Sequence, residues 1–228
     1  MQSAKFMSLL VKICGLRATD ALDAALEGGA DMVGFVFFAP SPRHIDLATA
    51  RRLSQLARGH VRKVALTVDA DDTELAGIID ALKPDLLQLH GHETPARVRA
   101  IRARFGLPVM KAIAVESRQD LDAIKIYADV ADRLLFDARA PRDATRPGGL
   151  GRPFDWRLLE QLDVELPFML SGGLDATNVA EALRITRAPG VDVSSGVERA
   201  PGDKDPQRIH AFIRAARASQ TPAVAMSR

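Results

Sequence analysis

Eight short runs of apolar, β-prone residues recur along this chain, and each precedes a segment in which apolar residues return every three or four positions. The runs lie at 11–14, 32–37, 63–68, 86–90, 109–114, 133–137, 168–171 and 191–194. The helical patterns lie at 19–27, 47–57, 72–82, 95–105, 118–127, 154–162, 177–186 and 206–218. Strands that are apolar on both parities suit a sheet covered on both faces, and strands separated by helices pair in parallel. Their starts recur about every 20–35 residues, one βα unit apiece. A doubly wound open sheet would satisfy the same alternation, but eight consecutive units favour closure. The expected fold is therefore an α/β, single-domain (β/α)8 TIM barrel over 9–219, with 220–228 a tail that lacks periodicity.

A barrel of this kind draws its chemistry from the ends of its strands and the loops that follow them. Two of those loops are long, A-P-S-P-R-H at 39–44 and the proline- and glycine-rich 138–153. Within the second, 141–153 carries Gly148, Gly149 and Gly151 and reads as a mobile lid. Two glycine turns, L-S-G-G-L at 170–174 and S-S-G-V-E at 194–198, follow the seventh and eighth strands. Backbone N–H groups around Gly172, Gly173, Ser195 and Gly196 are then open to a phosphate, and the helical pattern after the first turn adds donors from its N-terminus. Neither turn contains a basic residue. The backbone, rather than a cationic cluster, is expected to hold the anion.

Parity along the strands separates polar from apolar side chains. Lys12 and Cys14 share one side of the first strand, Gln88 and His90 one side of the fourth, and Asp137 opposes Leu134 and Phe136 on the sixth. If the apolar parity faces the helices, the polar one lines the barrel. Cys14, His90 and Asp137 each end a strand. A lone cysteine at such a place also suits a small buried hydrophobe, whereas an unpaired buried carboxylate costs stability and asks for a use.

The composition excludes several other classes. Lys and Arg exceed Asp and Glu by 31 to 29, a net charge of +2 that does not suggest nucleic acid as a partner. One cysteine forms no internal disulfide. No apolar run reaches the roughly 18 residues of a membrane span and no leader pattern opens the chain, so the cytoplasm is the expected location. The five histidines show no metal-ligand spacing, and neither a metal nor a cofactor is expected.

In their order, K-I-C-G (12–15), S-P-R (41–43), Q-L-H-G (88–91), L-L-F-D (134–137), P-G-G-L-G (147–151) and the two glycine turns make a specific set. Through them the chain resembles the phosphoribosylanthranilate isomerase family across about 11–218. The resemblance implies an acid/base rearrangement of N-(5-phosphoribosyl)anthranilate to the 1-deoxyribulose 5-phosphate in tryptophan biosynthesis. It makes Cys14 the general base and Asp137 the general acid, and it assigns Arg43 to the substrate's aromatic carboxylate. His90 and Gly149 join the glycine turns as expected substrate-binding residues, although His90 also suits a structural hydrogen bond. The implied partner is a small phosphosugar, with the protein a monomer or homodimer.

The chemistry poses a requirement for each catalytic group. A free thiol titrates near about 8.5, so Cys14 needs help to ionise, which same-side Lys12 could give. Asp137 must carry a proton near neutrality, which calls for desolvation or a nearby negative charge. Two rivals remain at this level: another phosphosugar barrel enzyme, and a catalytically silent phosphate-ligand sensor on the same fold. Glycine turns after the seventh and eighth strands alone and a base position at Cys14 argue against the first, and Cys14, Asp137 and Arg43 together argue against the second.

Overall fold

The computed structural model describes residues 9–141, 144, 146–149, 151, 153–160, 162 and 164–219. Its strands are β1 (Leu10–Cys14), β2 (Met32–Phe37), β3 (Arg62–Thr67), β4 (Leu86–Leu89), β5 (Val109–Val115), β6 (Arg133–Ala138), β7 (Phe168–Leu170) and β8 (Gly190–Val193). They pair in parallel in chain order, and β8 returns to β1 from Leu10–Gly190 to Ile13–Val193, closing an eight-stranded barrel. Every strand end lies within one residue of its place in the sequence pattern.

Helices α1 (Thr19–Glu27), α2 (Leu47–Ala57), α3 (Asp72–Leu82) and α4 (Pro95–Phe105) fall where the periodicity puts them. Local chemistry fixes their ends. Asp71 and Glu74 form a reciprocal capping box at α3. Thr94 caps α4, Pro95 opens it, and Gly106 closes it at φ 64°.

Three expected helices are shortened. In 118–127 a 3-10 segment, Arg118–Asp122, precedes a short α5 (Ala123–Tyr127). The Asp120 carboxylate accepts from the backbone N–H groups of Glu116 and Ser117, competing with helical pairing. In 154–162 only the 3-10 turn Trp156–Leu159 forms, yet Phe154, Trp156, Leu158 and Leu162 still pack on the core around buried Leu159. Apolar spacing there encodes burial without a full helix. Helix α6 (Val179–Thr186) starts two residues late, because Asp175 takes the N–H groups of Thr177 and Asn178. Helix α7 (Pro206–Ala218) matches, and a hairpin of β9 (Glu198–Ala200) and β10 (Asp203–Lys204), absent from the sequence reading, fills the gap before it.

The core has two layers. Val11, Ile13, Leu87, Leu89, Leu134 and Phe136 belong to the outer layer between sheet and helices, while Met32, Val64, Leu86, Met110, Ala112, Leu135 and Met169 fill the barrel. The apolar parity thus faces the helices. Leu135 lies inside, and Asp137 follows it on the same parity at the C-terminal mouth. The expected tail at 220–228, and 142, 143, 145, 150 and 152 of the expected lid, lie outside the described residues.

Candidate active site

A single cleft at the C-terminal mouth is lined by Cys14, Arg43, His90, Asp137, Gly149, Gly172, Gly173 and Ser195. These are all the site residues singled out from sequence except Gly196. That glycine lies behind the second turn, where a Cβ would collide with the Leu174 carbonyl oxygen, so it permits the close approach of the two glycine turns.

Cys14 ends β1 and is 3% exposed. Directly below it lies Lys12, fully buried, its Nζ donating to Asp192 Oδ1 at 2.8 Å, while Asp192 Oδ2 lies 3.4 Å from Ser171 Oγ. The Lys12 charge also acts on the neighbouring Cys14 thiol. Gly34 on β2 makes room for both: a Cβ there would fall 2.8 Å from Cys14 Sγ and 3.0 Å from Lys12 Nζ. The help expected from Lys12 is present but outweighed. Burial pushes the thiol above its ordinary value, Lys12 opposes this, and Asp192 adds to the rise. For Lys12 itself burial acts downward, and Asp192 and Cys14 together hold it above its ordinary value.

Asp137 is the next-to-last residue of β6 and 5% exposed, with Oδ1 accepting from the Ala138 N–H at 2.9 Å. Its Oδ2 lies 3.2 Å from His90 Nε2. His90 Nδ1 is 3.0 Å from Gln88 Nε2; with the amide donating, the imidazole proton sits on Nε2, aimed at Asp137. His90 therefore touches the acid candidate, a pairing that strand parity implies but does not identify. Gly148 packs over the pair so closely that a Cβ would collide with Asp137 Oδ2.

Arg43 is 4% exposed and is not solvated, despite lying in a proline-rich loop. Its Nε and Nη2 donate to Glu198 Oε1 and Oε2 at 2.7 and 2.8 Å, and Nη2 also to the Gly149 carbonyl at 3.2 Å. Glu198, present in the S-S-G-V-E motif, was legible there only as a turn residue. Burial pushes its carboxyl upward, but Arg43 hydrogen bonds and the Lys204 charge prevail and hold it below its ordinary value. Arg146 also lines the cleft; burial and the neighbouring Arg43 lower its guanidinium, and its buried Nε has no partner among the described residues. Sequence reading missed it because the loop pattern singled out glycines.

Gly172 and Gly173 take φ 85° and 65°, the left-handed region that favours glycine. No described acceptor takes the N–H of Gly172, Gly173 or Ser195. The α6 terminus contributes less than expected. Asp175 accepts from Thr177 and Asn178, and Asn178 Nδ2 is spent on the Gly173 carbonyl. Backbone donors of the turns themselves are left to face an anion.

The described residues contain no cluster of three or more metal-ligating side chains, and none of their helices is long and apolar enough to cross a membrane. The cleft thus offers a thiol, a carboxyl paired with imidazole, a buried guanidinium and an anion-binding turn pair. This inventory suits proton transfer on a substrate with two anionic ends.

Comparison with known proteins agrees. The family model described as N-(5'phosphoribosyl)anthranilate (PRA) isomerase matches residues 11–215. The N-(5'-phosphoribosyl)anthranilate isomerase of Bradyrhizobium diazoefficiens is 67% identical over 214 residues, covering 94% of this chain and 96% of that protein. Its counterpart from Nitrobacter winogradskyi is 67% identical over 215 residues, with the same coverage of 94% and 96%. Among solved structures, phosphoribosyl anthranilate isomerase from Thermotoga maritima superposes with a TM-score of 0.83 at 35% identity, over 92% of this chain and 99% of that one. A phosphoribosyl anthranilate isomerase in complex with reduced 1-(o-carboxyphenylamino)-1-deoxyribulose 5-phosphate gives 0.77 at 33% identity, over 92% and 99%. The chain belongs to the N-(5'-phosphoribosyl)anthranilate isomerase family.

Proposed function

We propose that this chain isomerises N-(5'-phosphoribosyl)anthranilate to 1-(2-carboxyphenylamino)-1-deoxyribulose 5-phosphate in tryptophan biosynthesis, with Asp137 as general acid and Cys14 as general base. The observation that carries this reading is the convergence of Cys14, Asp137, Arg43 and both glycine turns on one cleft. Protonated Asp137 delivers its proton to the ribose ring oxygen. The C1–O bond breaks as the amine nitrogen lone pair forms C1=N, leaving an open iminium. Thiolate Cys14 then removes the C2 proton, and the released electron pair forms C1=C2 and neutralises the nitrogen. Ketonisation of the resulting enol, with the Cys14 proton returned to C1 and the O2 proton lost to the Asp137 carboxylate, gives the aminoketose and restores both groups.

The remaining residues bind and orient. Turn N–H groups at Gly172, Gly173 and Ser195 hold the phosphate, and Arg43 takes the aromatic carboxylate. His90 orients Asp137 through its Nε2 proton. The loop at 141–153, whose Gly148 and Gly149 already cover Asp137 and Arg43, acts as a lid that keeps water from the open imine. No metal or cofactor has a part in this scheme.

The same reading places the protein in the cytoplasm, with no nucleic acid or membrane partner, as a monomer or homodimer. In support, the Thermotoga maritima enzyme is described both as a dimer and as monomers generated from it. Among the described residues here only Leu47, Leu56 and Ile126 are exposed large hydrophobics. The test is turnover of N-(5'-phosphoribosyl)anthranilate by the purified chain, followed as loss of anthranilate fluorescence. A folded, inactive protein that still binds the product analogue would favour the silent sensor.

A further inference from the structure

The hairpin after β8 has no place in the acid/base scheme, yet two of its side chains are among the few buried charges of the molecule: Glu198 and Lys204. Glu198 Oε1 accepts from both Arg43 Nε at 2.7 Å and Lys204 Nζ at 2.8 Å, and Oε2 accepts from Arg43 Nη2 at 2.8 Å. Lys204 Nζ donates further to the Ser194 carbonyl at 2.9 Å and lies 3.2 Å from Ser194 Oγ. Ser194 Oγ in turn donates to the Cys14 carbonyl at 3.2 Å. One chain of hydrogen bonds, buried and charge-assisted from Arg43 through Glu198 to Lys204 and half-buried at Ser194, therefore joins Arg43, the second glycine turn and the end of the β1 strand.

The hairpin is also docked on the Arg43 loop. Gly202, at φ 82° in its turn, sits so close to Pro42 that a Cβ would collide with the Pro42 carbonyl oxygen, which accepts from Arg17 Nη1 at 2.8 Å. Arg208 Nη1 donates to the Glu198 carbonyl, and the Asp205 N–H donates to the Val197 carbonyl at 2.9 Å.

Charge count gives this arrangement a direction. Two buried cations share one buried carboxylate, which leaves a net positive charge next to the cleft. Buried charge without a counter-charge is costly. Glu198 takes the Nε and Nη2 side of the guanidinium and the Gly149 carbonyl takes the second Nη2 hydrogen, so the Nη1 hydrogens are left to meet an anion such as a carboxylate.

We propose that Glu198 and Lys204 are positioning residues that set substrate specificity: they fix Arg43 edge-on to the cleft, so that it selects a substrate bearing a carboxylate, and tie it to the phosphate turn at Ser194. The inference rests on the assignment of Arg43 to the substrate carboxylate. Lys204 keeps its role at neutral pH, since burial, opposed by Glu198, lowers it only to about 8.

The test compares N-(5'-phosphoribosyl)anthranilate with N-(5'-phosphoribosyl)aniline, which lacks the carboxylate, on wild-type enzyme, Arg43→Lys, Glu198→Gln and Lys204→Met. Glu198→Gln is expected to raise KM for the anthranilate substrate about 10- to 100-fold, to leave kcat within a few-fold, and to leave the aniline substrate nearly unchanged. Combined with Arg43→Lys it should add little, because both act through one guanidinium. An equal loss on both substrates, or none on either, overturns the proposal. If Arg43→Lys itself fails to discriminate, the carboxylate assignment falls first; if it discriminates and Glu198→Gln does not, only the positioning role falls. Should Glu198→Gln not fold, Glu198→Asp carries the same comparison, since the shorter side chain keeps the charge and withdraws it from Arg43 Nε and Nη2.

Discussion

Cys14 shows how one residue can be chosen by several constraints at once. It must sit at a strand end to reach the cleft, fit the space left by Gly34, and share its surroundings with a fully buried Lys12–Asp192 pair. Removing one partner of such a pair costs about 3–5 kcal/mol because the other charge stays buried, so Lys12 and Asp192 are constrained by stability as well as by chemistry. The balance of burial over Lys12 leaves the thiol above its ordinary value. Its thiolate fraction is therefore small at neutral pH and grows as pH rises. The reaction of iodoacetamide with Cys14 should accelerate continuously through and beyond about pH 8.5. A rate that levels off below neutrality would show instead a thiol already ionised, with Lys12 dominant.

At the scale of elements, the proposed function gives the β7 and β8 turns the work that charged side chains do at many anion sites. Their glycines allow both the left-handed backbone at Gly172 and Gly173 and the close packing at Gly196. Gly173→Val strains that backbone and obstructs the approach of phosphate. A charge-assisted hydrogen bond contributes about 1.5–3 kcal/mol, so KM should rise about 10- to 150-fold with little change in kcat. Competitive inhibition by inorganic phosphate should weaken in parallel. An unchanged KM would place the phosphate elsewhere. Strands were the most legible elements because apolar runs bounded by turns have few alternatives. Helices failed where Asp120 and Asp175 spent their carboxylates on nearby N–H groups, a competition that periodicity does not register. The hairpin of Glu198–Ala200 with Asp203–Lys204 escaped notice because two- and three-residue strands carry no period; the Pro201–Gly202 turn was its one sequence signal.

For the whole molecule, barrel closure converts a linear order of motifs into a ring, and it brings Cys14 from β1, Asp137 from β6 and the β7–β8 turns to one mouth. Strand parity and strand-end position made those residues readable, since both depend only on local spacing. What stayed hidden were partnerships across the ring: Lys12 with Asp192, Arg43 with Glu198, and His90 with Asp137 lie 180, 155 and 47 residues apart in sequence. Such pairs are set by closure, not by any local pattern. The central claim is that Cys14 and Asp137 divide the proton transfers of the isomerase. Its most direct test is the turnover number of Cys14→Ala beside Asp137→Asn, each confirmed as folded and each titrated with the reduced product analogue. Both should bind the analogue and lose at least about 10²-fold in kcat; near-normal turnover by folded Cys14→Ala would contradict the assignment of this thiol as the base.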